Sequence, residues 1–303
     1  MQDIAAKTAF ITGGASGIGL GMARVFVREG MNAVLADIRQ DHLDEAQALF
    51  GADGLADRVL TVRLDVTDRD AYERAADAAE RRFGKVHILC NNAGMGLGGP
   101  IKQTRHADWD WGIGVMITGV TNGITIMLPR ILKHGEGGHI VNTSSKAALV
   151  PVSGFAIYGT CKAAMTGLSE AIRAELAGDN IGVSCFCPGP VQSNIRETGR
   201  TRPEHLKADS GLLQEEAELE RRPNSPLWMD PIECGERVLA GIRRNDLYIL
   251  THPEFKAGTA EKFAAILKSF PDEPINEARA DSIRYILTNA IFKDMAQAPG
   301  RAS

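Results

Sequence analysis

The stretch TAFITGGASGIGLGMARVF, residues 8–26, decides how the rest of the chain is read. Its first five residues, TAFIT, are short, apolar and partly β-branched, as a buried strand requires. A glycine-rich turn follows at once, and an amphipathic pattern runs from 17 to 29. The spacing Thr12-Gly13-x-x-x-Gly17-x-Gly19 therefore sits between a strand and a helix. Gly13 permits the tight turn, and Gly17 lets a diphosphate come close to the backbone. That diphosphate would rest on the positive N-terminus of the helix, while Gly19 allows close helix–sheet contact. Glycine-rich turns of this type also occur without a ligand, so the pattern needs support from elsewhere in the chain.

Working outward, the same strand–helix rhythm repeats. NAVLAD (32–37), RVLTVRLDV (58–66), VHILCNN (86–92), GHIVNTS (138–144), IGVSCFCPG (181–189) and LYILT (247–251) read as strands buried on both faces. Helical patterns lie between them at 68–83, 105–133 and 153–177, and Pro129 falls near the end of the second. The segment 68–83 has an acidic first turn and a basic last turn, which complements the helix dipole. Asp230-Pro231 reads as an N-cap followed by proline at the first helical position. This alternation predicts an α/β fold, a single Rossmann-like doubly wound parallel sheet of about seven strands with helices on both faces. Two regions break the rhythm. Residues 194–229 form a charged insertion without strand character, and 252–303 add helical patterns around 255–269 and 276–293 with a frayed tail. The expected division is a catalytic domain over 1–250 and a helical C-terminal extension over 251–303.

Composition narrows the class. The chain of 303 residues is 44% hydrophobic and 24% charged, with a net charge of −4 and a pI near 6.0. Such a balance gives no electrostatic footprint for nucleic acid or an anionic membrane. No apolar run approaches 18 residues, and the N-terminus lacks the basic and apolar regions of a secretory signal. Five cysteines, mostly in apolar runs, suit reduced thiols. The expected location is cytoplasmic.

The second strand ends in Asp37, near the offset expected for a carboxylate that binds an adenosine ribose. Such a carboxylate accepts both ribose hydroxyls and repels a 2′-phosphate, which favours NAD(H) over NADP(H). Arg39, two residues on, is a cation that would tolerate NADP(H). Farther along, YGTCK (158–162) places Tyr158 and Lys162 four residues apart, on one helix face. By spacing alone the two are equally an acid–base pair or two solvated neighbours.

At this point the chain resembles the short-chain dehydrogenase/reductase family in its classical single-domain form, over about residues 1–250. TGGASGIG (12–19) is similar to the family's cofactor turn, and Asp65-Val66 to its adenine-side dipeptide. NNAG (91–94) corresponds to the element that stabilises the central sheet, and PGPV (188–191) with Ser193 to the nicotinamide-side loop. The resemblance implies that Ser145, Tyr158 and Lys162 are catalytic. It implies that NAD is held by Gly13, Ser16, Gly17, Ile18, Gly19, Asp37, Ile38, Asp65, Val66, Asn92, Ala93, Gly94, Pro188, Gly189, Val191 and Ser193, together with Tyr158 and Lys162. It also implies pairing of the helices in 105–133 and 153–177 into a homodimer or homotetramer.

One departure stands out. The family carries an asparagine on its long fourth helix, and here the matching stretch VMITGV (115–120) has Met116 at that position. Methionine keeps the main-chain carbonyl that, in the family, holds a water linking the lysine to solvent, but lacks the amide that helps fix the helix geometry. The expectation is a weakened or re-routed proton relay.

The chemistry implied is hydride transfer between a secondary alcohol or ketone and a nicotinamide. A free tyrosine is a poor base at neutral pH, and a nearby cation favours its phenolate. Lys162 supplies that cation and reaches the nicotinamide ribose, while Ser145 orients the substrate oxygen. Ser144 is the competing hydroxyl. The pocket lies beyond the carboxyl ends of the strands, with Met95, Leu97, Leu149, Val150, Val152, Phe155, Leu212, Leu213, Leu227, Trp228 and Met229 as its expected lining. This lining suits a bulky hydrophobic or aromatic alcohol, or a steroid or terpenoid one. DWDWGIGV (108–115) and LYILTHPEF (247–255) are similar to a bacterial subgroup of the family that oxidises benzylic alcohols of lignin-derived aryl ethers. A different function, an NAD-binding sensor or scaffold with decayed catalysis, is the alternative that Met116 raises. No metal is expected: Cys185 and Cys187 read as buried strand thiols, and His134, His139, His205 and His252 show no ligand spacing.

Overall fold

A computed structural model describes residues 1–292. The last residue of the expected 276–293 pattern and the tail beyond it lie outside the described residues.

Among the described residues, seven strands and thirteen α-helices follow the predicted alternation: β1 (Thr8–Thr12), α1 (Gly17–Arg28), β2 (Asn32–Asp37), α2 (Gln40–Ala52), β3 (Val59–Arg63), α3 (Arg69–Phe83), β4 (Ile88–Asn91), α4 (His106–Ile113), α5 (Gly119–Lys133), β5 (Gly138–Thr143), α6 (Lys146–Leu149), α7 (Ala156–Glu175), β6 (Ile181–Cys187), α8 (Glu204–Lys207), α9 (Leu213–Arg221), α10 (Pro231–Arg244), β7 (Tyr248–Leu250), α11 (Lys256–Lys268), α12 (Glu277–Ser282) and α13 (Arg284–Leu287). The strands form one parallel sheet in the order β3-β2-β1-β4-β5-β6-β7. The order reverses between β1 and β4, which opens a crevice at their carboxyl ends. The fold is thus the doubly wound α/β sheet that the sequence predicts.

Apolar side chains from both sheet faces carry the stability. On one face Met22 and Phe26 of α1 and Val238 and Ile242 of α10 pack on Ile11 and Leu35. On the other, Tyr72 of α3 and Met127 and Ile131 of α5 pack on Phe10, Val34 and Leu89. Each such side chain contributes about 1.5–3 kcal/mol through burial. Caps set the helix starts. Asp68 accepts the Ala71 N–H, and Asp230 accepts the Ile232 N–H with Pro231 in the first turn, as its sequence position implies.

Four details differ from the sequence reading. The stretch 105–133 is helical from His106 but interrupted by a π-helical turn at Gly114–Thr118; Pro129 lies near the end of α5, as expected. By length and composition His106–Lys133 also suffices to cross a membrane, but here half of its apolar stretch is buried within the protein, with Met127 and Ile131 fully covered. The 276–293 pattern breaks at Ile283 and again at Thr288, where the backbone turns extended. Finally, 194–229 is ordered as a 3-10 segment (Ile195–Thr201), α8 and α9, and closes back on the domain through a parallel bridge between Val191 and Met229.

Candidate active site

A cavity of about 900 Å³ lies at the carboxyl ends of β1, β4, β5 and β6, and every cofactor residue implied by the sequence except Gly19 lines it. Gly19 lies beneath the turn. A Cβ there would stand 2.0 Å from the Gly13 carbonyl oxygen and 2.8 Å from Asn92 Nδ2. Gly17 has φ +48°, and a Cβ on it would meet Ser193 at 2.7 Å. Glycine is therefore required at both positions for the loop to close against its neighbours. Thr12 ties this turn to the next strand. Its hydroxyl donates to the Cys90 carbonyl (3.3 Å) and accepts the N–H groups of Asn92 (2.9 Å) and Ala93 (3.0 Å). Asn92 Nδ2 in turn donates to the carbonyls of Thr12 (3.1 Å) and Gly13 (3.2 Å).

The turn fits a dinucleotide. Helix α1 begins at Gly17 with its axis end on the cavity, and the Ser16 side chain makes no capping hydrogen bond. The first-turn N–H groups are thus free to receive an anion. Asp37, almost fully buried, accepts the N–H groups of Ala15 (3.2 Å) and Arg39 (3.1 Å) from a position on the cavity wall. The Arg39 guanidinium is committed elsewhere. It pairs with Asp41 and with Glu197 of the insertion (3.2 Å), and the Asp41 hydrogen bond heads the causes that raise its pKa. A cation neutralised on two sides by carboxylates is a poor receptor for a 2′-phosphate.

At the other end of the cavity stand Ser145, Tyr158 and Lys162. Ser145 caps the short helix α6, accepting the Ala147 N–H (3.1 Å), and its hydroxyl hydrogen-bonds the Tyr158 phenol. Burial raises the phenol's pKa, and the Ser145 hydrogen bond opposes that rise. Lys162 Nζ donates to the Thr143 carbonyl (2.8 Å) and lies 5.6 Å from the centre of the Tyr158 ring. Burial lowers the Lys162 ammonium from its ordinary 10.5 to about 8. Ser144 differs from its neighbour. Its hydroxyl donates to the Lys162 carbonyl (2.7 Å) and meets Thr166 Oγ1 (3.0 Å), so it fastens β5 to α7. A buried amide chain does the same lower down, from Asn91 to Asn142 (2.9 Å) and on to Ser169 (3.1 Å).

Met116 sits within the π-helical turn, where Gly119 N–H reaches back to the Gly114 carbonyl. The helix thus departs from α geometry here without an asparagine amide to hold it. The methionine side chain is buried among Met95, Trp111, Ile157 and Cys161.

The substrate half of the cavity departs from the expected lining. Met95, Val152, Phe155 and Trp228 line it; Leu97 and Leu212 pack in the apolar cluster around Met116, and Leu227 is exposed. Leu149, Val150, Leu213 and Met229 are also absent from the wall; Val150 instead faces Gly258 of α11. In their place stand Trp111 and Val115 from α4 and the π turn, and Thr198, Thr201, Leu206 and Leu219 from the insertion. Of these, Trp111 and Val115 fall in DWDWGIGV (108–115), the stretch that the sequence already marks.

The thiols of Cys185 and Cys187 lie 3.6 Å apart, and Cys185 also contacts Thr166 Oγ1. All five cysteines are free and buried. Residues distant in sequence do bring three potential metal ligands together: His87, His134 and Glu136, with ligand atoms within 4.8 Å. Their lone pairs are already used. Each imidazole accepts a backbone N–H at Nδ1, His87 from Thr8 and His134 from Glu136, which leaves Nε2 of each as a donor. His87 Nε2 then bonds Glu136 and His134 Nε2 bonds the Val86 carbonyl, while Lys7 and Lys85 neutralise the glutamate.

Comparison with known proteins agrees with this geometry. Residues 7–204 match the short chain dehydrogenase family. Among curated proteins, the chain is 37% identical over 270 residues to the C alpha-dehydrogenase of Sphingobium sp. (strain NBRC 103272 / SYK-6), covering 89% of this chain and 88% of that protein. Among solved structures, it is similar to a short chain dehydrogenase/reductase from Burkholderia phymatum in complex with NAD, with a TM-score of 0.82 and 34% identity over 91% of this chain and all (100%) of the other. The LigO apo form from Sphingobium sp. strain SYK-6 superposes with a TM-score of 0.75 at 38% identity, over 99% of this chain and 100% of that one.

Proposed function

Because the chain belongs to the short-chain dehydrogenase family, we propose that this oxidoreductase is NAD(H)-dependent and moves hydride between the nicotinamide and a bulky hydrophobic or aromatic secondary alcohol or its ketone. The observation that carries the reading is that one cavity holds both the dinucleotide turn with Asp37 and the Ser145–Tyr158–Lys162 set. Bound NAD supplies the hydride acceptor.

The protein's own groups handle the rest. Tyr158 Oη takes the hydroxyl proton during oxidation and returns it during reduction, as general base and acid. Ser145 hydrogen-bonds the phenol and presents its hydroxyl to the substrate oxygen, which orients the carbinol carbon. Lys162, held by the Thr143 carbonyl, supplies positive charge beside the ring and favours the phenolate. The preference for NAD rests on Asp37 at the ribose end and on the neutralisation of Arg39 by Asp41 and Glu197. The aromatic preference rests on Trp111, Phe155 and Trp228 in the substrate wall and on the similarity to a C alpha-dehydrogenase. The catalytic unit is proposed to be the sheet-containing part up to residue 250, acting within a homodimer or homotetramer.

A screen of aryl, steroid and aliphatic secondary alcohols, read by NADH fluorescence, tests this proposal with Tyr158→Phe as the control. Turnover of an aryl alcohol by the wild type, reduced at least a hundredfold in the variant, is the expected result. Cofactor binding without turnover of any alcohol would instead identify a sensor or scaffold.

A further inference from the structure

The insertion is fastened to the body of the protein by a buried charge cluster beside the substrate wall. Arg202, at the end of the 3-10 segment, has a fully buried side chain. Its Nη2 pairs with Asp108 Oδ1 of α4 (3.0 Å) and with Glu216 of α9, and its Nε reaches the second Glu216 oxygen (3.3 Å). Nη1 points to the Leu206 carbonyl (3.4 Å). Asp108 is held in turn by the Ser210 hydroxyl (2.6 Å) and by the N–H groups of Gly211 (3.1 Å) and Arg105 (2.9 Å). Three residues of the insertion, Arg202, Ser210 and Gly211, therefore converge on one aspartate of the helix below.

The carbon of the same guanidinium lies over the Trp111 ring, 4.2 Å from its centre. Asp108 and Trp111 are three residues apart on α4 and so share a face. The cation is thus clamped edge-on by carboxylates while its face covers the indole, an arrangement that only a planar, permanently charged group makes. The indole's other contacts are the apolar cluster of Leu97, Met116, Ile157 and Leu212 and the cavity itself. Thr201, Leu206 and Pro203, the neighbours of Arg202, line the cavity directly.

We propose that Arg202 is a positioning residue, which holds Trp111 as a fixed aromatic wall of the substrate pocket and thereby sets the preference for aryl substrates. The insertion is then part of that wall, anchored by its own charges. The inference rests on the dehydrogenase reading above but concerns a different property, selectivity rather than turnover.

Arg202→Lys is the direct probe, because it keeps the charge between the two carboxylates and removes the planar face over Trp111. The ratio of kcat/KM for an aryl secondary alcohol to that for a small aliphatic one is measured in wild type, Arg202→Lys, Trp111→Leu and the double variant. The expected result is a fall of about tenfold in the ratio for Arg202→Lys, through KM, the scale of a desolvated cation–π contact. In the Trp111→Leu background the same change should have no further effect. An equal loss for both alcohols, or an undiminished loss in the Trp111→Leu background, would overturn the proposal. Where Arg202→Lys folds poorly by melting temperature and NADH affinity, Trp111→Leu with the charge cluster intact must still lower the aryl preference, or the inference fails. Should the wild type turn over no alcohol, the function proposed above falls; quenching of tryptophan fluorescence by an aryl ketone, weaker in Arg202→Lys and insensitive to it in Trp111→Leu, then decides the role of Arg202 separately.

Discussion

Replacing Lys162 by methionine should remove a pH-dependent part of the protein's stability. The lysine is buried (4% exposed), and its Nζ has the Thr143 carbonyl as hydrogen-bond partner. Burial lowers the ammonium from 10.5, its ordinary value, to about 8. Below pH 8 the side chain is protonated in both folded and unfolded chains, and the folded state bears the full desolvation cost. As pH rises from 8 towards 10.5, the folded chain releases its proton while the unfolded chain keeps it. Fewer protons are then bound in the folded state, so stability rises with pH through this window. At about 1.4 kcal/mol per pH unit, the whole effect is about 3 kcal/mol, most of it developed by pH 10. Urea unfolding of the cofactor-free wild type and Lys162→Met at pH 7, 8, 9 and 10 isolates it, because the other titrating groups are common to both. The wild type should gain on the variant by about 2–3 kcal/mol from pH 7 to pH 10. A difference that stays flat, or one that moves against the wild type, would refute the assignment of a desolvated ammonium at this position.

Three further outcomes follow from the site. Ser144→Ala removes a hydrogen bond to the Lys162 carbonyl and should lower stability by about 1 kcal/mol in a denaturant titration with kcat kept within a few-fold, whereas Ser145→Ala should lower kcat by about a hundredfold or more. Combining Asp37→Ser with Glu197→Gln removes the ribose carboxylate and frees one side of Arg39; the ratio of kcat/KM with NADPH to that with NADH should rise at least about tenfold, and an unchanged ratio would show that neither Asp37 nor the neutralisation of Arg39 is what excludes the 2′-phosphate. Met116→Asn puts an amide into the apolar cluster of Met95, Trp111 and Ile157, which should destabilise by about 1–3 kcal/mol; an unaltered kcat and pH–rate profile would show that the methionine has no bearing on proton relay.

Local chemistry made much of this molecule legible in advance. The strand, glycine turn and helix of residues 8–26, the carboxylate at Asp37 and the alternation of buried strands depend on backbone conformation and on side-chain period, both written in short windows of sequence. So does the Asp230-Pro231 cap. The parallel sheet follows from such windows because the connections leave few other ways to bury every apolar face.

The rest required the chain to be folded. Ser144 and Ser145 are adjacent and chemically identical, and only the packing of α7 against β5 turns one towards the Lys162 backbone and the other towards the cavity. The clustering of His87, His134 and Glu136, the neutralisation of Arg39 by Glu197 and the Asp108–Arg202–Glu216 clamp all join residues far apart in the chain. The apolar residues of the insertion are alike in sequence, because hydrophobicity cannot tell a wall residue from a core residue. Leu212 went into the core and Leu206 to the wall because Arg202 fixes how the insertion lies on α4. The sequence by itself determined the sheet, the dinucleotide turn and the candidate catalytic set, since these are local patterns; the tertiary structure alone decided the shape of the substrate wall, since that depends on buried charges meeting across about a hundred residues of chain.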